Sequence, residues 1–303
     1  MENDVLRIEN VTKTIKGKSI IKGIDFKIKA GEIFGFLGPN GAGKSTTLRM
    51  IVGLSKPTTG RIIICGYSIS NNYMAAMQHV GCIIENPDLY DYISGYKNLE
   101  MLASMSKNVG HYDLMATVVN VGMENRIHDK VSTYSLGMKQ RLGLAQALMH
   151  HPDLLVLDEP MNGLDPQGIY MFRMLIKRLA EQEQIAVLVS SHLISEVQLL
   201  CDRVAIINDG LIIKDTPINE LIPSSEISWE VAELEKGQAF LASRFNISAL
   251  IVDGRLRAVI DLKGLASINA ALIAAGFELK TVSSPQQSLE SLFLGLTGHQ
   301  KIM

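Results

Sequence analysis

Residues 32–54 read EIFGFLGPNGAGKSTTLRMIVGL: a short apolar strand, a glycine-rich turn and the opening of a helix in direct succession. The turn comprises Gly38, Pro39, Asn40, Gly41, Ala42, Gly43, Lys44, Ser45 and Thr46. Its spacing is that of a loop that wraps phosphate oxygens with successive backbone N–H groups. Bulky side chains cannot sit in such a loop, and glycine permits the dihedrals it needs. The helix behind it turns its positive end toward the same phosphates. Lys44 is placed to reach the outer phosphates as a point charge, and the Ser45 hydroxyl to coordinate Mg²⁺. Gly17-Lys18-Ser19 spells the same three letters but lacks the glycine five residues upstream and a buried strand before it, so it is not a second such loop.

Outward from this point, further short apolar runs occur at 61–65 (RIIIC), 154–157 (LLVL), 185–189 (IAVLV) and 203–207 (RVAII), alternating with helical stretches. Continuous apolar strands separated by helices predict an α/β fold with a largely parallel sheet covered on both faces. The opening is different: around 5–11 and 20–28, Ile24, Phe26 and Ile28 alternate with charged residues, the pattern of an antiparallel sheet with one wet face. Helical spacing replaces the strand signal over about 88–150, which reads as an insertion. These elements predict one domain over 1–216 and a second, small α+β module over 217–303. The module reads as strand 227–234, helix 235–244, strand 247–252, a turn at Asp253-Gly254, strand 255–262, helix 265–275, strand 277–283 and helix 286–296. That order suits a ferredoxin-like fold.

At the tip of LLVLDEP stand Asp158 and Glu159. A buried strand ending in carboxylates places them where parallel sheets gather their ligands. Asp158 is suited to hold Mg²⁺, and Glu159 to polarise an attacking water as general base. An acidic pair after a strand more often caps a helix; its company with the phosphate loop decides for chemistry.

The stretch Tyr134-Ser135-Leu136-Gly137-Met138-Lys139-Gln140-Arg141 lies further along, with Ser135 23 residues before Asp158 and 91 after Lys44. Together with the phosphate loop and the acidic pair it resembles the signature of ABC-type ATPases, and the resemblance runs from about residue 5 to 216 in the family's order. Met161-Asn162-Gly163-Leu164-Asp165 resembles that family's D-loop, and His192, after Ser190-Ser191, stands at the place of its switch histidine. The resemblance implies that Ser135, Gly137 and Asp165 contact nucleotide and that His192 acts beside Glu159. It puts Glu85, in GCIIENPDLY, where the family has a metal-contacting glutamine, and Ile15, in TKTIKGK, where the family often has an aromatic residue stacked on adenine. Leu136 and Met138 also depart from the family pattern of paired glycines and a glutamine.

What the resemblance implies is an ATPase with ATP and Mg²⁺ as its ligands, converting ATP and water to ADP and phosphate. The signature of one subunit completes the phosphate site of another, so a homodimer or a heterodimer with a second ATPase subunit is expected. An integral-membrane permease is the further partner, docking near 85–106, where Tyr90, Tyr92 and Tyr96 cluster as interface anchors or as packing within the insertion. The expected place is the cytoplasm, peripheral on the inner face of the cell membrane. Leu136, Met138, Glu85 and the C-terminal module together resemble the ATP-binding subunits of exporters for peptide antibiotics such as bacitracin or a lantibiotic.

Other classes fit less well. A P-loop GTPase carries an NKxD-type base reader, which is missing, and a chromosome-maintenance ATPase needs a coiled-coil insertion longer than the interval from Lys44 to Ser135. A non-transport ABC protein acting as a nucleotide-gated regulator is the alternative, although such chains often fuse two ATPase units. Composition narrows the field too. Among 303 residues, 29 Lys and Arg balance 31 Asp and Glu, for a net charge of −2, which argues against a nucleic-acid partner. No apolar run approaches the roughly 18 to 20 residues of a membrane span, and MENDVLRIEN lacks the layout of a secretion signal. Cys65, Cys82 and Cys201 form no CxxC pair and read as reduced thiols.

Overall fold

The structure, a computed structural model, describes residues 4–85, 87–105, 111–221, 225–260 and 264–283. It divides into two compact units, Met1–Pro217 and Ile218–Met303.

The first unit opens with an antiparallel hairpin of β1 (Asp4–Ile15) and β2 (Lys18–Lys29), turned at Lys16-Gly17. The GKS at 17–19 is therefore part of a hairpin turn. β3 (Ile33–Leu37) runs into the phosphate loop and α1 (Lys44–Ile51). Next come β4 (Thr59–Ile64), β5 (Tyr67–Ser68), α2 (Tyr73–Met77) and β6 (Val80–Ile83). The helical block contains α3 (Gly95–Met105), α4 (His111–Asn120) and α5 (Leu136–Leu148). β7 (Leu154–Asp158), α6 (Pro166–Glu183), β8 (Ala186–Ser191), α7 (Ile194–Leu200), β9 (Arg203–Asn208) and β10 (Leu211–Pro217) complete the unit.

Two sheets result. The larger has the order β10-β9-β3-β8-β7-β6, with every pair parallel except the β10–β9 edge. The smaller has the order β2-β1-β4-β5 and is antiparallel. This corrects the reading of 61–65: that run lies in β4, antiparallel to β1, with Ile62 opposite Ile8 and Ile64 opposite Leu6. An apolar run shows that a strand is buried and says nothing of its direction. β6, which the sequence reading did not assign, fills the far edge of the larger sheet.

The sheets share one core. Ile24, Phe26 and Ile28, the apolar set of β2, meet Phe34 and Phe36 of β3, Leu48 of α1 and Ile62 of β4. Phe26 and Phe34 stack with ring centroids 5.1 Å apart. Asp25 and Lys29 alternate with that set and stay exposed. Burial of each such aromatic stabilises the unit by about 1.5–3 kcal/mol, and it packs the β3 face of the larger sheet against the smaller sheet.

The second unit is a βαββαβ module: β11 (Ser225–Val231), α8 (Leu234–Phe245), β12 (Leu250–Val252), β13 (Arg255–Ile260), α9 (Leu265–Ala274) and β14 (Leu279–Ser283). Its sheet order is β12-β13-β11-β14, all antiparallel, which is the ferredoxin-like arrangement. Several boundaries differ from the sequence reading, the largest shifts at the end of β11 and the start of β12. β11 ends at Val231 because Glu233 already caps α8, and β12 starts only at Leu250 because Asn246 ends α8 in the left-handed conformation. The helix expected at 286–296 lies outside the described residues.

Candidate active site

β3, β8 and β7 are neighbours in the larger sheet, and their C-terminal ends are level: Leu37 pairs with Ser191 and Asp158 with Ser190. The phosphate loop, the acidic pair and His192 follow these three ends. Inside the loop, a side-chain carbon on Gly38 would fall 2.4 Å from the Ile207 carbonyl oxygen, and one on Gly43 2.4 Å from Ile21 Cδ1. Gly43 also has φ 110°, which side-chain-bearing residues rarely adopt. The Pro39 carbonyl accepts the Ala42 N–H at 3.2 Å, and Asn40 and Gly41 form the exposed crest. Ser45 and Thr46 sit half-buried in the first turn of α1, which the Thr47 hydroxyl closes by donating to the Gly43 carbonyl at 3.0 Å.

Lys44 is only 5% exposed, and its ammonium folds back over the loop. Nζ donates to the Gly38 carbonyl at 2.7 Å and stands 3.3 Å from Glu159 Oε1. Glu159 sits at φ 49°, turned out of the strand. Its Oε2 lies 2.5 Å from His192 Nδ1 and accepts from Asn162 Nδ2 at 3.0 Å. Asp158 is 4% exposed, with Oδ1 accepting the Ser190 hydroxyl at 2.6 Å. Ser190 Oγ in turn accepts the Glu159 N–H at 2.9 Å. One serine thus ties the two acids to β8. Glu196, bonded to the Ser191 hydroxyl at 3.2 Å, has its carboxyl raised above the ordinary range by burial and secondarily by the charge of Glu159. The sequence reading assigned no role to Ser190, Asn162 or Glu196; the Ser190-Ser191 doublet at a strand tip was the available signal for the first.

The signature and D-loop residues gather elsewhere. Ser135 caps α5, its Oγ accepting the Met138 N–H at 3.3 Å, and Asp165 caps α6, its Oδ1 accepting the Gly168 N–H at 2.8 Å. With Leu136, Gly137, Gly163 and Leu164 they line a groove of about 510 Å³ to which no phosphate-loop residue contributes. Glu85, at φ 68°, gives its carboxylate to the Arg49 guanidinium of α1, a partner the sequence reading did not name. Ile15 ends β1 opposite Lys18 and is 43% exposed. Tyr90 and Tyr92 are exposed and meet edge to face at 5.8 Å, whereas Tyr96 tilts against His128 at 5.3 Å.

The family described as ABC transporter matches residues 21–162. Over 305 residues the chain is 46% identical to the uncharacterized ABC transporter ATP-binding protein YhcH of Bacillus subtilis (strain 168), covering 98% of this chain and 97% of that one. It is 34% identical over 298 residues to the bacitracin transport ATP-binding protein BcrA of Bacillus licheniformis, with 97% of each chain covered. Among solved structures, cbiO1 from Clostridium perfringens, described as part of the ABC transporter complex cbiONQ, superposes with a TM-score of 0.68. That match has 26% identity over 81% of this chain and 97% of that one.

Proposed function

The chain belongs to the ABC transporter family, and from that premise we propose how its residues divide the work of an ATP-hydrolysing transport subunit. The carrying observation is the meeting of Lys44, Glu159 and His192 at adjacent strand ends, within 3.3 Å and 2.5 Å of the shared carboxylate.

The phosphate loop and Lys44 hold the triphosphate, with Lys44 turning its ammonium from the Gly38 carbonyl to the outer phosphates. Glu159 takes the proton from the attacking water as general base, and His192 orients Glu159 through Nδ1. The buried Asp158 carboxylate and the Ser45 hydroxyl are hard oxygen donors of the kind that holds Mg²⁺, and Glu85 joins them when it leaves Arg49. When bound, Mg²⁺ neutralises charge on the phosphate oxygens. Adenine rests near the aliphatic Ile15.

Ser135, Gly137 and Asp165 serve the nucleotide of a second subunit, either another copy or a relative. The support is their groove, which contains no part of this chain's own phosphate loop. Tyr90 and Tyr92 offer exposed anchors to a membrane permease. Among the described residues no helix is long and apolar enough to cross a membrane. In this reading the translocation path belongs to the permease, and this chain works from its cytoplasmic side. The likeness to BcrA over nearly the whole chain, C-terminal module included, supports an exported cargo of the peptide-antibiotic class.

The test is co-expression with a multi-span protein encoded beside this chain. ATPase activity and co-purification from membranes are the expected results. A chain that stays free of membranes while the permease is present would overturn the transport reading.

A further inference from the structure

We propose that Cys65, His79 and Asp153 form a binding site for a thiolate-preferring divalent cation of the zinc class, at the opposite end of the larger sheet from the nucleotide. His79 directly precedes β6 and Asp153 directly precedes β7, so both stand where those strands begin. The five residues of β7 put Asp153 roughly 16 Å from Asp158, at about 3.3 Å per residue. Cys65 occupies the turn between β4 and β5, in the left-handed region at φ 47°.

The three donor atoms all lie within 4.8 Å of one another, and His79 Nδ1 is 2.5 Å from Asp153 Oδ2. Each ligand's backbone is fixed by a sheet-type hydrogen bond. The Cys65 N–H donates to the Val5 carbonyl at 2.8 Å, the Leu154 N–H to that of His79 at 2.9 Å, and the Ala186 N–H to that of Asp153 at 2.9 Å. The His79 ring is further held by Tyr67, stacked at 5.6 Å with 15° between planes. Three donors from three separate strand ends therefore converge without rearrangement of the fold.

A histidine–aspartate hydrogen bond beside a half-buried thiol could exist for packing alone. What favours ligation is the donor set. One sulfur, one imidazole nitrogen and one carboxylate oxygen are the ligand types of zinc, and three protein ligands leave a fourth, open position on a tetrahedral ion. The thiol selects against Mg²⁺ and Ca²⁺, which take oxygen donors. The cation that accompanies ATP would not fill this site, and the proposal stands apart from the assignment of the nucleotide site. Cys65 and His79 are half-buried and Asp153 is exposed, so an ion can enter from solvent.

The test uses the full chain, purified reduced and without a histidine tag, in excess Mg²⁺ and without nucleotide. Titration with Zn²⁺ should show one equivalent bound, and Co²⁺ in its place should give a thiolate-to-cobalt charge-transfer band in the near ultraviolet. Cys65→Ser should remove the band and weaken Zn²⁺ binding by about 100-fold or more, and His79→Gln should weaken it likewise, while Cys82→Ser should leave both readouts intact. Absence of stoichiometric binding or of the cobalt band in the unmodified chain, which needs no variant to fold, would overturn the site. So would a band that survives Cys65→Ser, or one that Cys82→Ser abolishes.

Discussion

Glu159 carries more of the site's geometry than any neighbour, because its two oxygens face Lys44 on one side and His192 with Asn162 on the other. Glu159→Gln keeps the shape and removes the basic oxygen. Turnover should drop about 10²–10⁴-fold while nucleotide binding persists, as read by phosphate release against equilibrium binding. Full turnover in that variant would dismiss Glu159 as the base. Lys44→Ala withdraws the cation that the loop encloses and should abolish nucleotide binding; tight binding that survives would contradict the placement of the phosphates. Ser190→Ala tests the link between the two acids. Without the hydroxyl, Asp158 Oδ1 and the Glu159 N–H lose their common partner, and the Mg²⁺ concentration needed for half-maximal activity should rise about 10–100-fold. An unchanged Mg²⁺ dependence would leave Ser190 a packing residue only. Lys44, Asp158 and Glu159 were legible in the sequence because each sits at a motif position. Asn162 was not, since an asparagine acquires meaning only from what stands 3 Å away, and Ser190 offered no more than its place at a strand tip.

Among the elements, the strand–loop–helix at 33–51 is the most constrained. Gly43 has no room for a methyl group beside Ile21 and lies at a φ that alanine resists. Gly43→Ala should lower the unfolding free energy by about 1–3 kcal/mol and weaken nucleotide binding with it, checked by urea denaturation and nucleotide titration on one preparation. Wild-type stability in that variant would show that the loop relaxes where the packing says it cannot. This element was readable in advance because strand, turn chemistry and helix follow one another within one stretch of chain. β4 was not, because its direction is decided by β1, about fifty residues earlier, through pairs such as Ile62 with Ile8. The helix starts at Ser135 and Asp165 belong to the readable class, since a capping oxygen and the N–H that donates to it lie three residues apart.

For the whole molecule, two compact units make separate thermal behaviour testable. Trp229 is fully buried in the second unit and donates from Nε1 to Asn269 Oδ1 at 2.8 Å. Trp229→Ala should cost that unit about 3–5 kcal/mol, seen in calorimetry as a shift of one transition while the transition of the nucleotide-binding unit stays in place. A single transition that moves as one would show the two units to be coupled. The fold class, the phosphate loop and the acidic pair were legible in the sequence alone, because each rests on periodicity or spacing within short segments, and the family was legible as a resemblance carried by several such motifs in order. Only the tertiary structure decided that Lys44 reaches Glu159, that Glu85 rests on Arg49 and that Cys65, His79 and Asp153 converge. Those are meetings between residues 14 to 115 positions apart, and no local spacing encodes them. They arise when a buried sheet sets the order of its strands and thereby chooses which strand ends become neighbours.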